Sequence, residues 1–386
     1  MFYRVAQKSA LHVFDRIGAR AKAQGDGMTL GLTLSIDAMG GDHAPQSILR
    51  GVDLFAREYP AARFVLHGDE SLITSYLDEL PAAKATSKVH HTSDIVPMDA
   101  KPSQAMRKRG TSMWNAIASV KAKEASACVS AGNTGALMAV AHLQLRTIEG
   151  LHRPAITASW PTPKGQCVVL DVGANVDSDP DQLVDFAIMG EAFSRALYAI
   201  ERPSIGLLNV GTEDVKGHDD IREAMRLLRL FGTTLNLEVY GFVEGNDISM
   251  GKTDVVVTDG YTGNIALKTA EGAARLVGGF LKEALTSGPL SVLGALLASA
   301  GLKRLKHRMD PSSSNGGVFL GLNGLVIKSH GGTDARGFAN ALRVAARLAA
   351  SSYITQVSDN LKRLSAARAQ TQIPTQAMKT TLTVSD

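Results

Sequence analysis

DVVVTDGYTGN (254–264) followed by IALKTAEGAARLVGGF (265–280) shows one strand, one turn and one helix in immediate succession. Val255–Val257 is short, β-branched and apolar throughout, as a strand covered on both faces should be. A polar turn rich in Gly, Thr, Asp and Asn follows, and apolar residues then recur at helical spacing. The same unit repeats outward from this stretch. LTLSIDAMGGD (32–42) leads into HAPQSILRGVDLFAREY, and ARFVLHGDE (62–70) into SLITSYLDEL. ACVSAGNTG (127–135) leads into ALMAVAHLQL, QCVVLDVGANVD (166–177) into DQLVDFAIMGEAFSRAL, and SIGLLNVGTED (204–214) into IREAMRLLRLF. Alternating strand and helix implies right-handed βαβ crossovers. The expected fold class is α/β, a three-layer αβα sandwich around a largely parallel sheet.

With 386 residues, 45% hydrophobic and 20% charged, the chain has an ordinary soluble composition and length for a sizeable core. The many glycines, 37 of them, and few aromatic residues suit tight strand-to-helix turns. A net charge of +4, without a basic face or an aromatic-basic module, argues against nucleic-acid binding. Cys128 and Cys167 sit in apolar runs and read as buried, reduced thiols in neighbouring strands. Neither belongs to a CxxC or Cys/His cluster, so no metal site is expected.

The expected α/β domain spans 33–362. Residues 1–32 form an N-terminal extension carrying Arg4, Lys8, Arg16, Arg20 and Lys22 among loosely spaced apolar residues. It reads either as an amphipathic surface helix or as a dispensable segment ahead of Met28. It lacks the apolar core of a secretory signal, and a cytoplasmic location follows by default. ALTSGPLSVLGALLASAGL (284–302) is uncharged, but Ser287-Gly288-Pro289 interrupts it and leaves 13 apolar or small residues, too short to span a bilayer. A helical hairpin over about 277–309 is expected, with an ordinary core helix as the other reading. Residues 363–386 read as a disordered tail.

Ligands of open parallel sheets bind beyond the carboxyl ends of the strands. SAGNTG (130–135), DVGANVD (171–177), NVGTED (209–214) and DGYTGN (259–264) all follow a strand and precede a helix. Such turns let backbone N–H groups approach an anion at a helix N-terminus. Other chemistries lose support. No G-x-G-x-x-G opens a helix after a strand and no G-x-S-x-G elbow occurs. GNDISMGKT (245–253) mimics a P-loop with its first Gly displaced and leads into a strand. His90-His91 has no third ligand nearby.

DAMGGDHAP (37–45), SAGNTGALM (130–138), RPA (153–155), LDVGANVD (170–177), GLLNVGTED (206–214), DVVVTDGYTGN (254–264) and VIKSHG (326–331) occur in this order. In these motifs, over roughly 33–360, the chain resembles the acyl-carrier-protein:phosphate acyltransferases, the PlsX family. The resemblance implies a fold similar to the isocitrate/isopropylmalate dehydrogenases and a homodimer peripherally associated with the inner face of the membrane. It also implies transfer of a long-chain acyl group from acyl-carrier protein to inorganic phosphate without metal or organic cofactor. The acyl phosphate would pass to an acyl-phosphate:glycerol-3-phosphate acyltransferase. SSSNGG (312–317) departs from the family, which has a Tyr before the Gly pair.

The chemistry is consistent with these residues. Phosphate is already anionic and a thiol leaves readily, so neither a strong base nor a covalent nucleophile is needed. What remains is positioning and electrostatics. Lys216 is the expected catalytic cation, or else a solvated loop lysine. Asn264 is placed to polarise the thioester oxygen, or to cap a helix. Gly132, Asn133, Thr134, Gly135 and Gly263 are expected to cradle phosphate. Asp37, Asp42, His43, Asp171, Asn175, Asp177 and Asp259 are read as groups that order the crevice. Arg107, Lys108 and Arg109 would steer an acidic carrier, and Lys303, Arg304, Lys306 and Arg308 would meet membrane or carrier. Competing readings are an acetyl-CoA:phosphate transferase, a dehydrogenase on the same fold, and a non-catalytic membrane-surface scaffold.

Overall fold

The computed structural model describes residues 31–302 and 316–371. The strands are β1 Thr33–Asp37, β2 Arg63–Gly68, β3 Ser87–His91, β4 Ala127–Ser130, β5 Ala155–Thr162 and β6 Gly165–Leu170. β7 Ser204–Leu208, β8 Glu238–Val243, β9 Val255–Val257, β10 Gly317–Leu320 and β11 Leu325–Lys328 complete them. The chain divides into two compact units where one domain was expected. The first holds the described residues through Ile148 together with Gly316–Val357, and the second those from Glu149 to 302 and from Ser358 onward. The division arises because the chain leaves the first unit after Ile148 and returns to add β10, β11 and the helix Ala335–Ala349.

In the first unit the strand order is β3-β2-β1-β4-β11-β10, parallel throughout except for the β10–β11 pair. In the second it is β5-β6-β9-β7-β8, parallel except for β5–β6. Consecutive residues of β1, β4, β11, β6 and β9 are buried, so both sheet faces are covered by helices. The helix Ser112–Lys121 packs on β1, β2 and β4, whereas Ala335–Ala349 packs on β4, β11 and the helix Gln46–Glu58. In the second unit Pro180–Tyr198 lies on β6 and β9 and buries Phe186 and Phe193. The α/β architecture read from the sequence is therefore present.

Side-chain caps fix where the helices begin. Asn133 accepts from the Ala136 N–H at 2.8 Å, Asp259 from Thr262 at 2.7 Å and Asp334 from Gly337 at 2.8 Å. Asp179 and Gln182 form a reciprocal capping box. Each cap closes a loop that leaves a strand, so helix N-termini gather at the carboxyl edges of the two sheets.

Three expectations change. The helix that carries the expected hairpin starts at Gly260 and runs unbroken to Thr286; after Ser287-Gly288 a second helix, Pro289–Leu297, packs against it. No helix among the described residues is long and apolar enough to cross a membrane. The expected disordered tail is helical through its first residues, because Tyr353–Thr371 is one helix. Buried Leu361 and Leu364, and Arg368 paired with Asp181 at 2.5 Å, hold it down. Cys128 and Cys167 are buried in β4 and β6, strands of different units rather than neighbours. Residues 1–30, the cluster Lys303, Arg304, Lys306 and Arg308, and positions 312–315 of SSSNGG lie outside the described residues.

Candidate active site

In the first unit, the loops after β1, β4 and β11 converge. Asp37 ends β1 fully buried and accepts from the Ser130 hydroxyl at 2.6 Å. Burial pushes its carboxyl up, against the pull of hydrogen bonds from Ser112, Ser130 and the Met39 N–H and of the Lys328 charge. Gly40 is required here, since a Cβ would sit 2.4 Å from Asp37 Oδ2 and 2.8 Å from the Gly132 nitrogen. The Asp42 N–H donates to the Gly331 carbonyl at 2.9 Å, tying GGD to SHG. Asp42 and His43 are exposed, just ahead of the helix Gln46–Glu58.

SAGNTG is held from below. The Asn133 amide donates to the carbonyls of Met98 at 2.6 Å and Ala100 at 3.2 Å while its oxygen caps the helix Thr134–Leu145. Its side chain is thus committed to the loop, and what it can offer an anion is its backbone N–H. The N–H groups of Asn133, Thr134 and Gly135 have no acceptor among the described residues, and Thr134 and Gly135 are exposed. The helix Pro102–Arg107 packs on this one, with Pro102 Cγ 3.1 Å from the Cβ position of Gly135. Exposed Arg107 ends that helix, and exposed Lys108 and Arg109 follow directly. Lys108 pairs with Asp94 at 2.8 Å, and Arg109 lies over the Trp114 ring at 5.8 Å.

In the second unit, Asp171 organises the loop after β6. Its buried carboxylate accepts from the N–H groups of Ile156 at 3.0 Å, Gly173 at 3.3 Å, Ala174 at 3.1 Å and Asn175 at 2.7 Å. Burial pushes this carboxyl up and those N–H groups oppose the shift. The Asn175 amide donates to Asp171 at 3.0 Å and to the Pro154 carbonyl at 2.9 Å, drawing in the RPA segment. Asp177 is exposed.

The helix Gly260–Thr286 docks flush on this loop. A Cβ on Gly260 would lie 2.2 Å from the Asn175 carbonyl oxygen, and one on Gly263 only 1.9 Å from that of Asp171. Gly263 is therefore a packing residue. Its N–H donates to the Asp259 carbonyl at 3.0 Å, which corrects its expected place among phosphate donors. Asp259, not Asn264, caps this helix. Asn264 is exposed one turn in, with its side chain 3.6 Å from the Cβ position of Gly173.

The strand order β6-β9-β7 puts the NVGTED loop beside these two. Asn209 shapes it by donating to the Lys216 carbonyl at 3.0 Å. The Lys216 side chain is 50% exposed and pairs with Glu213 at 2.8 Å, which raises its pKa. Among the described residues, no group of three or more His, Cys, Asp or Glu side chains is placed to hold a metal ion.

Sequence reasoning gave no role to Lys328. Its Nζ lies 3.4 Å from the Ala131 carbonyl and donates to that of Ser329. The available signal was a lysine closing the otherwise apolar strand LVIK.

Residues 32–356 match the family model described as fatty acid synthesis protein. The chain is 57% identical over 343 residues to the phosphate acyltransferase of Caulobacter vibrioides, covering 89% of this chain and 95% of the relative. The chain belongs to this family. A second relative, the phosphate acyltransferase of Maricaulis maris, is 55% identical over 338 residues, 86% of this chain and 96% of its own. The family places the chain among the acyltransferases. In fold it is similar to a phosphotransacetylase from Streptococcus pyogenes, with TM-score 0.57, 17% identity and coverage of 83% and 94%. The EutD phosphotransacetylase from Staphylococcus aureus gives 0.56, 16% identity and the same coverage.

Proposed function

We propose that this acyltransferase moves a long-chain fatty acyl group from the thioester of an acyl-carrier protein to inorganic phosphate. A phosphate oxygen attacks the thioester carbon, the tetrahedral oxyanion collapses, and the C–S bond breaks to give acyl phosphate and the carrier thiolate. The observation that carries this reading is the set of amide N–H groups at Asn133, Thr134 and Gly135 that find no acceptor among the described residues, in a family of phosphate acyltransferases. They suit an oxyanion at a helix N-terminus. Lys216 and Asn264 are assigned to the developing oxyanion, with Lys216 exchanging Glu213 for the reacting group. Asp171, Asn175 and Asp259 order their loops.

A cysteine nucleophile fits poorly. Burial holds the Cys167 thiol up at about 12 and pushes the Cys128 thiol well above its ordinary value, so neither supplies thiolate at neutral pH.

The long-chain assignment rests on exposed Leu276, Val277, Phe280, Leu290, Leu293 and Leu297 on the helices Gly260–Thr286 and Pro289–Leu297. Such a surface suits a second copy of the chain and the cytoplasmic membrane face, where the product would meet an acyl-phosphate:glycerol-3-phosphate acyltransferase. Arg107, Lys108 and Arg109 are assigned to the acidic carrier.

The test is incubation with palmitoyl-carrier protein and phosphate, following free thiol and trapping product with hydroxylamine. Phosphate-dependent thiol release with hydroxamate formation is expected. Equal release without phosphate would make the protein a thioesterase. Activity with acetyl-CoA alone would move the assignment to the short-chain reaction.

A further inference from the structure

The pairing register of the first unit draws one row of side chains across the carboxyl ends of its strands. Asp37 on β1 is opposite Ser130 on β4, and Ser130 is opposite Lys328 on β11. Residues in register on neighbouring parallel strands project from the same face. All three side chains are shut away from water, Asp37 with 1%, Ser130 with none and Lys328 with 9% of its surface exposed.

The row grips a single peptide group. Lys328 Nζ lies 3.4 Å from the Ala131 carbonyl oxygen, and Ser130 Oγ accepts the Gly132 N–H at 3.0 Å. That carbonyl and that N–H are the two ends of the Ala131–Gly132 peptide, so its plane is fixed at both edges. The Ser130 hydroxyl donates to Asp37 at 2.6 Å, and the Lys328 charge is felt at that carboxylate. The next three amide N–H groups, of Asn133, Thr134 and Gly135, are those without an acceptor among the described residues. Holding that peptide anchors the turn immediately before them.

A buried ammonium is costly unless it is compensated. Val326 and Ile327 precede Lys328 on β11, and an apolar residue would continue that strand at lower cost. Its position beneath an anion-accepting turn gives the cost a reason, because fixed charge in a water-poor site acts strongly on a bound anion.

We infer that Lys328 is a positioning residue for phosphate: without touching it, the buried ammonium locks the Ala131–Gly132 peptide and sets positive charge behind the amides that do. This rests on the reading that the 133–135 amides hold the phosphate.

The test measures KM for phosphate and for palmitoyl-carrier protein separately, with thermal unfolding of each variant. Lys328→Met should raise phosphate KM at least tenfold and leave carrier KM within twofold. Because Lys328→Met removes a positive charge felt at Asp37, the pair Lys328→Met with Asp37→Asn is made as well. It should recover thermal stability while phosphate KM stays at least tenfold high. Recovery of both stability and phosphate KM in the double variant would mean a merely structural charge coupling between Lys328 and Asp37 and overturn the inference. So would a phosphate KM within twofold of wild type in either variant. Thr134→Pro separates the two readings, since proline is tolerated at the first helical position and deletes one free N–H. If it leaves phosphate KM unchanged, the turn does not hold phosphate and both readings fall. If it raises KM about tenfold while the Lys328 variants do not, only the role of Lys328 is lost.

Discussion

At the scale of single residues, burial and pairing separate side chains that the sequence presents alike. Lys216 lies in the loop after an apolar strand and Lys328 closes one. The first is half exposed on a loop against Glu213, and the second is buried against backbone carbonyls. Lys216→Ala should therefore lower kcat by about 100-fold or more, as loss of one oxyanion donor does, without moving the unfolding temperature. His67 shows the opposite use of burial. It sits on β2 with Nε2 3.0 Å from Ser35 Oγ and 3.3 Å from Ser119 Oγ, and its ring meets His90 edge-on at 5.2 Å. Desolvation, helped by His90, lowers its pKa to about 4 from the ordinary 6.5. The folded form thus prefers neutral His67, and its contribution is full above pH 6.5 and is lost as pH falls through 4. That loss amounts to about 3 kcal/mol over the window. Urea unfolding of His67→Asn at several pH values should show a shallower acid limb than wild type between 6.5 and 4.

At the scale of elements, the helix Gly260–Thr286 depends on contact with the Asp171 loop through glycines. Gly263→Ala puts a methyl on the Asp171 carbonyl, a clash that costs about 1–3 kcal/mol and shifts Asn264. Activity should fall by roughly 100-fold, the loss expected when a reacting group moves by about 1 Å. Gly272 of the same helix has nothing within 4 Å of its Cβ position. Gly272→Ala should be neutral or stabilise by about 0.5–1 kcal/mol, and the two unfolding curves check the contrast. The helix Tyr353–Thr371 adds a nearly buried ion pair to its buried apolar contacts. Arg368 pairs with Asp181, both nearly buried, and its guanidinium lies 5.9 Å from the Phe231 ring centre. Arg368→Met leaves the Asp181 carboxylate without this partner and should cost about 3–5 kcal/mol in urea unfolding.

At the scale of the whole molecule, a net charge of +4 is too small to attract an acidic carrier indiscriminately, so steering has to be local. The cluster at Arg107, Lys108 and Arg109 adjoins the helix that carries the free amides. Arg107→Glu with Arg109→Glu should reduce kcat/KM for acyl-carrier protein about tenfold and flatten its salt dependence, leaving phosphate KM unchanged. Stopped-flow or initial-rate measurements at two ionic strengths check this.

The repeated strand–turn–helix pattern was enough to establish the α/β class, the parallel strands and the loops that hold the candidate residues. Those are local consequences of apolar runs, glycine-rich turns and capping residues, which neighbouring amino acids specify. The sequence also marked Asp171, Asn175 and Asp259 as groups that order loops, because short acceptors after a strand bond to nearby N–H groups. Only the tertiary structure decided that Gly263 packs against the Asp171 carbonyl, that the Asn133 side chain is committed to Met98 and Ala100, and that 363–371 is helix. It alone set Asp37, Ser130 and Lys328 in one row, although nearly two hundred residues separate Ser130 from Lys328 along the chain. Strand register and burial join positions remote in sequence, and no local pattern records which remote partner a side chain will meet.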